Sequence, residues 1–137
     1  MRSIVLSVAA RHLLPILIVF AVFLLLRGHE EPGGGFAAAL VISAAVGYGG
    51  LADDVDALKE LVPAPLVVMS AGFLVALAAG AWGMLFGDVF LQGSWLPFEV
   101  PIIGGMEIGT PVLFDVGVCL VASGAVVQIL VSLLEDE

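Results

Sequence analysis

The sequence is short of cysteine, of positive charge, and of polar residues inside its long apolar runs. Its single cysteine, Cys119, excludes an internal disulfide and leaves no thiolate pair for a metal centre. It lies mid-run among apolar neighbours, where a packed thiol is the expectation. The cations number four, Arg2, Arg11, Arg27 and Lys59, against thirteen acids, giving a net charge of −9. That balance excludes a nucleic-acid footprint and a polybasic lipid-binding patch. No metal-ligand cluster, nucleotide loop or nucleophile with its base is visible. Gly33 to Gly35 is no phosphate loop, because no strand precedes it and no lysine follows at the needed spacing. No catalytic residue, metal or cofactor is therefore expected.

What the chain has instead is apolar length. Hydrophobic residues make up 61% of its 137 positions and charged residues 12%, far from the composition of soluble domains. An integral membrane protein follows, because a hydrocarbon core about 30 Å thick asks for about 20 apolar residues per helix. Four segments qualify, at about 4–26, 34–51, 65–86 and 111–134. The first carries Arg11, His12 and Pro15, and its unbroken apolar part, Leu13 to Leu26, covers only about 21 Å. Its helix must therefore begin before Arg11, with that side chain snorkelling or meeting a partner protein, or else the bilayer must thin. The run resembles a signal peptide, but no small-residue cleavage site follows Leu26, so a retained span is expected.

The expected fold class is an all-α integral membrane protein of four transmembrane helices in one domain, 1–137, with a short β-hairpin-like loop between helices 3 and 4. That loop has extended pieces, Leu96 to Ile103 and Met106 to Ile108, around the Gly104–Gly105 turn. Pro97 and Pro101 make it an irregular edge ribbon, and Trp82 and Trp95 belong near the headgroups. Pro111 suits the first turn of the fourth helix. The second span is rich in alanine and glycine. The third carries Gly72, Ala76 and Gly80 on one stripe and Gly83 with Gly87 at GxxxG spacing, so helix packing is the expected use of these glycines. Between spans two and three, Asp53, Asp54, Asp56, Lys59 and Glu60 read as a solvated connector. Four spans put both termini on one side, and three cations there against Arg27 on the other favour cytoplasmic termini.

Two places concentrate polar chemistry. RGHEEPGGGF, Arg27 to Phe36, joins charge to a glycine-rich turn formed by Pro32, Gly33, Gly34 and Gly35, which bends the chain into span two. His29 titrates near neutral pH and could relay protons. Glu30 and Glu31 after it could attract a hard cation such as Na⁺, though adjacent carboxylates need not converge. Asp115 is the sharper candidate, an acid about one turn inside span four whose cost must be offset by a partner. Topology puts it on the membrane side of the RGHEEPGGGF loop, so a contact with the Arg27 to Glu31 region is expected, with Arg27 the charge partner. Local capping at the interface is the plainer alternative for Asp115, and turn-fixing by backbone hydrogen bonds for His29.

The block RGHEEPGGGF, the stretch MEIGTPVLFDVGV and the terminal LVSLLEDE, in this order and at this separation, resemble the B subunit of Mrp-type (Mnh) multisubunit cation/proton antiporters. The resemblance covers essentially the whole chain, although Glu30 stands where that family often has asparagine. It implies a small accessory subunit of a hetero-oligomeric complex in the prokaryotic cell membrane that exchanges Na⁺ for H⁺. Its implied partners are large antiporter-like subunits and other small subunits. Proton-translocating lysines and glutamates are implied to lie mainly in the larger subunits. Two other uses stay open: a purely structural packing subunit, and the equivalent subunit of a membrane-bound hydrogenase or other complex I-related module. The sites carried forward as ion-path candidates are Asp115, His29, Glu31 and Arg27.

Overall fold

A computed structural model describes residues 4–28, 34–53, 55–100 and 106–135. The apolar runs form α1 (Ile4–Arg27), α2 (Gly34–Asp53), α4 (Pro65–Ala81) and α5 (Thr110–Glu135), with a seven-residue helix α3 (Val55–Leu61) in the connector. Three of these stretches are long and apolar enough to cross a membrane, and α2 adds a shorter apolar helix. The protein has an all-α integral membrane fold. Pro15 lies inside α1, and Pro65 opens α4, where its missing N–H leaves no hydrogen bond unmade. The third apolar run is not α-helical throughout: after Ala81 it tightens into a 3₁₀ turn, Trp82–Phe86.

The main helices lie in the order α1, α2, α5, α4. In α5, 33% of the stretch is buried, against 11% of α1 and 6% of the stretch carrying α4, so α5 forms the inner pair with α2, whose Ala38, Ala39, Ala45 and Val46 are also buried. Helices α2 and α5 start at the same end and run parallel, since Gly35 meets Asp115 near one end and Gly47 meets Leu130 near the other. Helix α4 runs antiparallel to α5 and approaches it closely. A Cβ on Gly72 would lie 2.6 Å from the Leu120 Cβ, and one on Gly117 would lie 2.6 Å from the Ala76 nitrogen. Gly124 makes the third contact, where a Cβ would lie 2.7 Å from Met69 Cγ. Small residues thus bring two backbones together, giving dispersion contact where lipid offers no hydrophobic driving force.

Of the glycines expected to pack helices, Gly72 does so directly. Gly80 instead receives a loop, described below. Gly83 lies in the 3₁₀ turn against Asp88 and the Gln92 carbonyl, and Gly87 caps that turn at φ 88° with nothing within 4 Å of an added Cβ. The GxxxG spacing of these last two serves a helix end and not a helix–helix contact within the chain, because the α-helix has already stopped.

The connector is less solvated than its charges suggest. Leu58 is 1% exposed and packs with Val46, Val127 and Val131, pinning α3 across the ends of α2 and α5. Beside it the Lys59 ammonium meets the Glu135 carboxylate at 2.5 Å. The hydrogen bond to Glu135 chiefly raises the Lys59 pKa above 10.5, with the charges of Glu135 and Asp56 adding and partial desolvation opposing. A raised folded-state value means that, while Glu135 is ionised, the pair stabilises at pH below 10.5 and is lost as pH rises through the higher value. The stability difference between wild type and Lys59→Met should therefore stay constant from about pH 7 to 9 and shrink only above about 10.5, as thermal melts in detergent can check. Because both side chains are roughly half exposed, that difference should be small.

Two short strands, β1 (Trp95–Val100) and β2 (Met106–Gly109), pair antiparallel with Trp95 opposite Gly109 and Glu99 opposite Glu107. The turn expected at Gly104 and Gly105 lies outside the described residues. Strand β2 feeds directly into α5, where Thr110 and Ser94 clamp the junction. The Thr110 N–H donates to the Ser94 carbonyl at 2.9 Å, and the Ser94 N–H donates to Thr110 Oγ1 at 2.9 Å.

Candidate functional site

Asp115 is the sixth residue of α5, about 7.5 Å along the helix axis from Thr110, and it is half-buried. It sits against the start of α2. A Cβ on Gly34 would lie 2.9 Å from Asp115 Oδ2 and 3.3 Å from Oδ1, and one on Gly35 would overlap the Asp115 main-chain carbonyl. Gly34 has φ 74°, a conformation open to glycine at little cost. Two glycines are therefore needed here for separate reasons, one for its backbone angle and both for room.

The carboxylate consequently faces the first turn of α2, where N–H groups have no partner inside the helix and the helix dipole is positive. A helix end thus stands beside the acid for which the sequence offers a cation. Arg27, the last residue of α1, holds its guanidinium 5.6 Å from the Phe23 ring centroid. Within the chain Arg27 and Asp115 belong to the same end of the bundle, since Gly28 lines the cavity that Asp115 also lines. His29, Glu31, Pro32 and Gly33 lie outside the described residues.

That cavity has a volume of about 550 Å³ and is bounded by Gly28, Gly80, Leu91, Gln92, Thr110 and Asp115 among others. Its roof is the loop 87–94, anchored to α5 by the Ser94–Thr110 clamp and to α4 by a 2.8 Å hydrogen bond from the Leu91 N–H to the Gly80 carbonyl. No group of three or more His, Cys, Asp or Glu residues is placed to hold a metal ion among the described residues. One carboxylate in a cavity can attract a cation or exchange a proton, but it cannot alone replace the hydration shell of an ion. Deeper in the bundle, Cys119 is buried with Ala21, Ala38 and Ala39. Ser123 Oγ donates to the Cys119 carbonyl at 2.7 Å.

Gly117 and Gly124 are site-shaping residues that the sequence does not single out. They stand seven residues apart on α5, two helical turns and hence one face, which is the available signal. Leu91 is equally silent in the sequence, since nothing in a leucine announces positive φ.

Fold and site together define a polytopic membrane subunit whose inner helix carries one half-buried acid at the mouth of a cavity and whose outer faces are apolar. Residues 5–128 match the family described as the domain related to the MnhB subunit of Na⁺/H⁺ antiporters, and the chain belongs to that family. It is 34% identical over 137 residues to the B subunit of the Na⁺/H⁺ antiporter of Bacillus subtilis, covering 99% of this chain and 96% of that one. It is also 36% identical over 128 residues to the A/B subunit of a probable K⁺/H⁺ antiporter of Rhizobium meliloti, covering 93% of this chain but 13% of that longer one. Among solved structures, the Mrp complex from Dietzia sp. DQ12-45-1b contains a chain that superposes with TM-score 0.83 at 29% identity, over 96% of this chain and 14% of its own length.

Proposed function

We propose that this chain is the B-type subunit of a multisubunit Na⁺/H⁺ antiporter, an accessory and non-enzymatic membrane component whose Asp115 lines a water-filled route for the exchanged ions. The single observation that carries the reading is the placement of Asp115: contact with the positive start of α2 on one side, cavity on the other. An acid so held raises the local cation concentration without trapping the ion, because the dipole that favours the carboxylate opposes tight cation binding. Arg27, His29 and Glu31 would form the rim of the same entrance. The partners are large antiporter-like subunits and other small subunits. The Rhizobium meliloti relative, whose A/B designation goes with a much longer chain, supports direct packing on an A-type neighbour. The chain's surface suits such burial, since Leu66, Phe73 and Leu74 of α4 are all more than 60% exposed. With four helices crossing, both termini and the α3 connector lie on the cytoplasmic side of the prokaryotic cell membrane.

A purely structural role has one observation in its favour, the glycine contacts that set α5 against α4 and α2. The two readings agree on assembly and differ on Asp115. Tagging this chain and purifying it in mild detergent should recover antiporter-like membrane subunits in fixed proportion. Recovery of the chain alone, or with redox subunits instead, would reject the antiporter assignment.

A further inference from the structure

Resting on the reading of the Asp115 cavity as wet, we propose that Leu91 is the residue that seals this cavity from the apolar groove between α4 and α5. The groove, about 360 Å³, is lined by Phe73, Ala76, Leu77, Phe90, Val118 and Val121, together with Leu91 and Phe114. Leu91 and Phe114 line the 550 Å³ cavity as well, so these two side chains stand between a space that Asp115, Gln92 and Thr110 line and a wholly apolar groove. Phe114 is fixed on α5, whereas Leu91 stands on a loop. The loop packs its side chains directly over Gly80, where a Cβ would lie 2.9 Å from Leu91 Cδ2 and 3.3 Å from the Phe90 ring.

The backbone of Leu91 shows that the side chain is what the position requires. The Gln92 N–H donates to the Val89 carbonyl at 3.1 Å, which makes Leu91 the third residue of a turn, and its φ is 66°. Turns with positive φ at that position select glycine or asparagine, and a branched, bulky residue there is a steric outlier. Glycine would relieve the backbone but remove the partition. Strained residues of this kind persist where the surroundings hold them and cluster at switches and ligand clamps. The Leu91 amide bonded to Gly80 and its side chain over Gly80 are that hold. Leu91 is thus a positioning residue: it keeps water beside Asp115 and out of the α4–α5 groove.

The test uses the assembled complex with Cys119 replaced by alanine and one reporter cysteine, Val118→Cys in the groove or Gln92→Cys in the cavity. Each is treated with a membrane-impermeant, water-soluble thiol reagent. Leu91→Gly and Leu91→Asn, both compatible with positive φ, should raise the labelling rate at position 118 by about tenfold, because water must reach a thiol to ionise it. Leu91→Met should restore the slow rate, a rescue that mere loop disruption would not give. An unchanged rate at 118 in the glycine and asparagine variants, with position 92 labelled in all, overturns the role of Leu91 alone. Failure of position 92 to label at all overturns the wet cavity and the seal together.

Discussion

Replacing Gly117 with leucine should abolish assembly of the complex, seen as loss of this chain from the tagged complex in mild detergent. The reason lies in backbone that has nowhere to go. A Cβ on Gly117 would stand 2.6 Å from the Ala76 nitrogen, 2.7 Å from the Ala76 Cβ and 2.7 Å from the Gly72 carbonyl, and a helix backbone cannot rotate aside as a side chain can. Adding even small groups to a packed interior costs about 1–3 kcal/mol, so Gly117→Ala should already lower thermal stability. Leucine exceeds any local adjustment and must separate α4 from α5. Because α4 packs mainly on α5 within the chain, separation releases a whole span and with it the roof of the cavity. Gly72→Leu should act the same way from the other helix. Gly87→Asn is the control, since asparagine tolerates positive φ and nothing lies within 4 Å of the position. It should assemble normally, and failure there would point to general intolerance of change and not to helix approach.

The long apolar runs make the helices legible, because bilayer thickness imposes a length that few other structures need. Asp115 is legible for the same reason, as an acid inside such a run. The fit around it is not. Sequence reasoning looks for an opposite charge, Arg27, and passes over the residues that make room for the carboxylate, Gly34 and Gly35. In the sequence those two glycines stand only for a bend. One of them, Gly34, has positive φ, and Gly35 serves contact instead. The charged connector hides Leu58, since five charges outweigh the short helical spacing of Val55, Leu58 and Val62, yet that leucine is among the most completely buried side chains. Gly83 and Gly87 mimic a packing motif because spacing alone cannot report that the α-helix has ended at Ala81.

Asp115→Asn should leave the complex assembled and cut its Na⁺/H⁺ exchange by at least about tenfold, the low end of what a charge focused in a cleft contributes to local ion concentration. Asparagine matches aspartate in size, so it fits between Gly34 and Gly35 and the cavity lining. What it removes is the charge and the titratable proton. Asp115→Glu should recover part of the exchange while straining the contact with Gly34, because the added methylene pushes the carboxylate toward a backbone that approaches within van der Waals distance. The two substitutions thus separate charge from fit. The decisive measurement is Na⁺-driven proton movement in membrane vesicles containing equal amounts of assembled wild-type and Asp115→Asn complex. Loss of exchange at equal assembly is the predicted result, and full exchange at equal assembly would remove Asp115 from the ion route and leave this chain with a packing role only.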